Sequence, residues 1–227
     1  MAAPSRHRRR WLGWLPAIIL SVAIVGVGVA ASLLVGAGLG QPAPKPTQGQ
    51  VTDLNWSSFS EEGLAYIESS RQIRIDLSRP PVEAAPLGLA SDGVLELFPV
   101  DTGDTVLNYE VIVNGAGEGP GGVKVTASEV RVVTAAGELT HVLLTSAYGS
   151  GFRVVLQDLL DDAKTYGWDT SGVPEIYTRV EDATRAGTPY EFSFGPSSRL
   201  GFDATATARC ETSAYCTVEY DLAPSIR

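Results

Sequence analysis

Three carboxylates, Asp158, Asp161 and Asp162, stand at i, i+3 and i+4 in the stretch FRVVLQDLLDDAKTY, so on a helix their side chains meet on one face. With Asp169 and Glu175 flanking the following TSGVP, they supply oxygen ligands of the kind a Ca²⁺ ion takes. They also supply carboxyl groups of the kind that make the acid/base pair of a glycosidase-like site. The same positions are the polar complement of an apolar stripe at Phe152, Val155, Leu156, Leu159, Leu160 and Ala163, where solvated charges belong in any case. No EF-hand spacing occurs. Asp158, Asp161 and Asp162 are therefore noted as cation candidates, while no metal, cofactor or catalytic residue is assigned.

Other chemistry is scarce. The chain has two histidines, His7 in a basic N-terminal stretch and His141 in the strand-like ELTHVLLTS. A Ser-His-Asp triad would need His141 opposite Ser146 or Ser150, both too near in sequence to face it easily. One histidine and two cysteines cannot build an ordinary zinc site. Gly117-Glu118-Gly119-Pro120-Gly121-Gly122 matches G-x-G-x-x-G, but a phosphate cradle must lead into a helix. Here the next residues, VKVTASEVRVV, alternate as a strand, and Glu118 has the wrong charge. A hairpin loop is the better reading. Trp56, Trp168, Tyr148 and Tyr166 could stack on a sugar or peptide, although a tryptophan just past a helix more often plugs a core.

The elements that would position these groups are partly legible. GVLELFPV, TVLNYEVIV, GVKVTASEVRVVT and ELTHVLLTSA read as four strand-like runs separated by Gly, Asp and Pro turns. The period then changes to helical from Phe152, with Ser150 as N-cap and Tyr166-Gly167 as the stop. Pro174 opens a second helix with Ile176, Tyr177, Val180 and Ala183 inward and Gly187 at its end. Strands at Tyr190–Phe194, Phe202–Cys210 and Cys216–Asp221 follow. Cys210 and Cys216 flank a five-residue loop, which reads as a hairpin clasped by a disulfide. YEVIVNGAGEGPGGVKVTA and YEFSFGPSSRLGFDATA echo one another as two Tyr-Glu-led hairpins. Residues 51–92 fit no single pattern and read as a peripheral arm on the main body of 93–227. Strands, two helices, then strands predict an α+β fold with a mainly antiparallel sheet.

Location comes from the front of the chain. Leu12 to Leu39 carries no charge, and as a helix would span roughly 42 Å against about 30 Å of hydrocarbon. That run is longer than a secretory h-region, so residues 11–40 are read as a retained transmembrane signal-anchor rather than a cleaved leader. Arg6, Arg8, Arg9 and Arg10 precede it, which keeps the tail 1–10 cytoplasmic and exports the rest. HRRRWL also fits a twin-arginine pattern, for which a topogenic charge cluster is the simpler explanation. Gly28, Ser32, Gly36 and Gly40 recur at every fourth position, a small-residue stripe on which two such helices could dimerise. The Pro- and Gln-rich stretch 41–50 reads as an extended linker.

Beyond the anchor the chain is acidic. The net charge is −9, yet residues 1–40 hold four Arg and no acid, leaving 13 basic against 26 acidic side chains in the remainder. Such an exterior repels phosphate backbones and disfavours nucleic acid. Arg outnumbers Lys 14 to 3, a bias of GC-rich bacterial coding. Together these features predict a single-pass cell-membrane protein with an extracytoplasmic, disulfide-bearing module. It is expected to be non-catalytic and to act on an envelope protein or glycan. The alternative is a carboxylate-dependent, cation-assisted hydrolase on the Asp158–Asp162 face.

Overall fold

The first described helix, α1 (Glu61–Ser70), starts where Ser60 accepts a hydrogen bond from the Gly63 N–H, with Glu61 and Glu62 at its positive end. It stops at Arg71, whose left-handed backbone turns the chain into β1 (Gln72–Asp76). β1 runs parallel to β5 (Tyr109–Asn114), and β5 pairs antiparallel with β6 (Val123–Ala127). Between β1 and β5 lie a short 3₁₀ turn (Ala85–Leu87), β2 (Gly93–Leu97) and the two-residue strands β3 (Val100–Asp101) and β4 (Val106–Leu107). The computed structural model describes residues 46–47, 49–98, 100–101, 106–117, 122–148, 151–212 and 215–225. The proposed anchor at 11–40, with Gly28, Ser32, Gly36 and Gly40, lies outside the described residues, as does Ser150. No helix among the described residues is long and apolar enough to cross a membrane.

Six strands make the main sheet in the order β2-β7-β8-β11-β10-β9, every neighbouring pair antiparallel. These are β7 (Glu129–Ala135), β8 (Glu138–Tyr148), β9 (Tyr190–Ser197), β10 (Phe202–Thr212) and β11 (Tyr215–Pro224). Alternation decides its two faces. Val130, Val132, Val142, Leu144, Val218, Leu222, Phe202 and the alanines of β10 are fully buried on one side. Glu129, Arg131, His141, Glu219, Asp221, Thr205 and Thr207 occupy the other. The inner face of β9–β11 is covered by α2 (Phe152–Tyr166), while α3 (Val173–Ala186) packs on β9. The fold is thus α+β, with three described α-helices and mostly antiparallel sheets.

Two expectations change. The run GVKVTASEVRVVT is two strands, because the chain bends at Ser128 and passes from the three-stranded sheet into the six-stranded one. Both the Ser128 amide and its hydroxyl donate to the Thr145 carbonyl, at 2.7 and 2.9 Å, which fixes the bend against β8. Residues 51–92 are not a peripheral arm: Ile67, Ile73, Ile75 and Leu77 lie fully inside the core, and β1 is a sheet member.

Candidate functional site

The Asp158–Asp162 face borders a polar groove of about 530 Å³ between α2, β6 and β11. Helical spacing does put the three carboxylates on one stripe, yet their partners draw them apart. Asp161 is exposed and ion-paired to Lys164 at 2.6 Å; hydrogen bonds from Lys164 and Gln157 hold its carboxyl below the usual range. Asp162 turns inward, where the Tyr220 hydroxyl donates to its Oδ2 at 2.6 Å. Partial burial pushes the Asp162 carboxyl up, the Tyr220 hydrogen bond opposes that shift, and the charges of Asp158 and Asp161 reinforce it. Burial also raises the neighbouring Tyr166 hydroxyl well above its ordinary range, with the Asp162 charge adding to the effect. Among the described residues no group of three or more His, Cys, Asp or Glu is placed to hold a metal ion. Asp169 and Glu175 do not join the cluster. Asp169 accepts from the Ser171 amide and hydroxyl in its own turn, and Glu175 lies 3.9 Å from Arg179.

The other sequence candidates take structural roles. His141 stands on the open sheet face with Nδ1 2.8 Å from Asp221, while Ser146 points to the opposite face and donates to the Thr126 carbonyl. No triad forms from them. Trp168 is a core plug: it stacks on Tyr166 at 4.5 Å and 4°, and its Nε1–H donates to the Ala204 carbonyl at 2.9 Å. The glycine-rich stretch joins the antiparallel strands β5 and β6, and Gly115 and Gly117 within it are dictated by packing. A Cβ at Gly115 or Gly117 would lie 2.1 or 2.2 Å from the backbone of Leu200. The two echoing hairpins, β5–β6 and β9–β10, therefore meet at their loops, joined by the Gly117 amide and the Leu200 carbonyl at 2.9 Å. Cys210 and Cys216 are cross-strand partners in β10 and β11 and form a buried disulfide near the turn.

A second groove, of about 560 Å³, opens where the N-terminus of α2 meets the C-terminal half of α3 and the start of β9. Its floor is built around Phe152, whose ring makes edge-to-face contacts with Tyr177, Tyr190 and Phe192 at 5.6, 5.7 and 5.6 Å. Val154 and Tyr177 keep 50% and 41% of their surface exposed at its mouth. The hydroxyl of Tyr190, a residue of its wall, is shielded from water and has no hydrogen-bond partner among the described residues. A donor left in that state costs on the order of 1–3 kcal/mol. Arg153 and Arg185 stand on the rim with Glu181; Arg185 is paired to Asp182 at 3.0 Å, whereas Arg153 enters no ion pair among the described residues. Gly151, in the N-cap position, offers no side-chain cap, and no acid sits in the first turn of α2.

This groove was not read from the sequence. Tyr177 falls beside the inward stripe of α3 and was expected inward; it is exposed because α3 covers only the edge strand β9 and turns that flank outward. The available signal was the pair Val154 and Tyr177, apolar residues just off their helices' buried stripes. No protein-family model, curated protein or solved structure matches this chain.

Proposed function

We propose that this chain is a membrane-anchored, extracytoplasmic binding module of a bacterial cell envelope, tethered through residues 11–40, and that its contact face is the groove between α2 and α3. The groove carries this reading. It combines exposed apolar side chains, Val154 and Tyr177, with the Arg153 guanidinium, which enters no ion pair among the described residues, features that a self-contained core has no need of. The Cys210–Cys216 disulfide supports an oxidising compartment, and the uncharged run after four arginines supports the tether.

The test is a photocrosslinking amino acid placed at Val154 or at Thr207 in the full-length chain in cells. A discrete adduct from Val154 and none from Thr207, on the open sheet face, is the expected result. Equal capture at both positions, or none at either, removes the groove as the contact face.

One observation favours a second reading, a carboxylate-dependent hydrolase. Asp162 has its carboxyl shifted upward, the direction a general acid needs. Hydrolysis of glycan or peptide substrates that disappears in Asp162→Asn, at unchanged melting temperature, would establish it.

A further inference from the structure

We infer that the α2–α3 groove binds a single-chain amphiphile with a carboxylate head, that is, a free fatty acid. This deepens the binding reading above and rests on it. The volume, about 560 Å³, falls in the range of small-molecule sites. Phe152, Tyr177 and Val180 form an apolar bed without a charged group among them, which suits a hydrocarbon tail.

The head is specified by what surrounds the mouth. Arg153 is a planar cation without an acid partner among the described residues, and it lies in the first turn of a 15-residue helix whose N-cap residue, Gly151, carries no capping side chain. Both features attract an anion, and a carboxylate takes two parallel hydrogen bonds from a guanidinium. Glu181, one turn before Arg185, is the single acid on the rim among the described residues. It sets the competing possibility of a cationic head, so head-group charge is the variable to test.

The experiment uses the full-length chain in lipid nanodiscs and a dodecanoate bearing a terminal diazirine. Illumination should label peptides containing Phe152–Val154 and Tyr177–Tyr190. Unlabelled dodecanoate should compete, with dodecanol and dodecylammonium roughly tenfold weaker, the factor expected for one charge-assisted head-group contact. Arg153→Ala and Val154→Glu, both at exposed positions, should each cut labelling about tenfold with no change in melting temperature.

Equal competition by dodecanol or dodecylammonium overturns the proposal. So does labelling confined to residues 12–39 or spread evenly along the chain. Equal labelling by a phosphatidylcholine carrying the same diazirine would assign the groove to the bilayer instead. If Val154 captures a protein or glycan in cells while dodecanoate labels nothing, the fatty acid is wrong and the binding reading stands; if both fail, the site itself is wrong.

Discussion

Replacing Trp168 by alanine should destabilise the domain by about 3–5 kcal/mol, the usual cost of removing a buried large aromatic side chain. The environment sets that figure. Trp168 is 5% exposed and stacks on Tyr166, with Phe194 and Tyr220 rings at 6.1 and 6.4 Å. Its loss opens a cavity among three aromatic rings that are held by β9, β11 and α2. It also removes the Nε1–H that donates to the Ala204 carbonyl. Trp168→Phe keeps an aromatic ring in place and loses the hydrogen bond, so about 1–2 kcal/mol is expected. For a domain of this size each kcal/mol shifts the melting temperature by roughly 2–4 °C, giving about 6–20 °C for the alanine variant and 2–8 °C for phenylalanine. Thermal and urea unfolding by far-ultraviolet circular dichroism measure both. A loss below about 1 kcal/mol in Trp168→Ala would refute the core assignment and return Trp168 to the list of ligand-stacking residues.

Four further outcomes follow from the same geometry. Converting Cys210 and Cys216 together to serine should cost about 2 kcal/mol, since the bridge closes a short loop, and urea unfolding of the wild type with reductant should approach the variant. Asp162 has a folded-state pKa above its unfolded value, so its contribution to stability is complete in acid and fades as pH rises through the folded pKa; Asp162→Asn should gain on wild type toward neutral pH and not below the aspartate range. Tyr220→Phe removes the hydrogen bond that opposes this shift, so the Asp162 carboxyl carbon should titrate at still higher pH by NMR, and an unshifted or lower titration contradicts the assignment. Millimolar calcium should leave the melting temperature unchanged, because Lys164 and Tyr220 engage two of the three clustered aspartates; a rise abolished by Asp161→Ala would show that they converge on an ion.

What the sequence disclosed follows from which interactions are local. The alternation in Phe202–Ala208 and in Val218–Leu222 marks strands with one buried face, and Gly167 and Gly187 take the left-handed caps that end α2 and α3. The break at Ser128 left one faint sign, a change of phase from Val123, Val125 and Ala127 to Val130 and Val132 with no Gly or Pro to mark it; the Thr145 carbonyl, across the sheet, defines the bend. The parallel pairing of β1 with β5 was hidden for a similar reason, joining residues far apart in the chain. At the Asp cluster, spacing gave the correct stripe but not its partners, since Tyr220 lies 58 positions from Asp162. The α2–α3 groove was least visible, because a concavity arises from three elements and has no periodicity of its own.

The most direct test of the central claim, an acidic oxidised module held outside the cell by an uncleaved anchor, is one intact-mass measurement. Intact cells are treated with a thiol-alkylating reagent, and the chain is then isolated from their membranes. The account predicts a membrane-bound chain that retains residues 11–40 and carries no alkyl group on Cys210 or Cys216. A soluble product beginning near Gln41, or a chain alkylated at both cysteines, would contradict it.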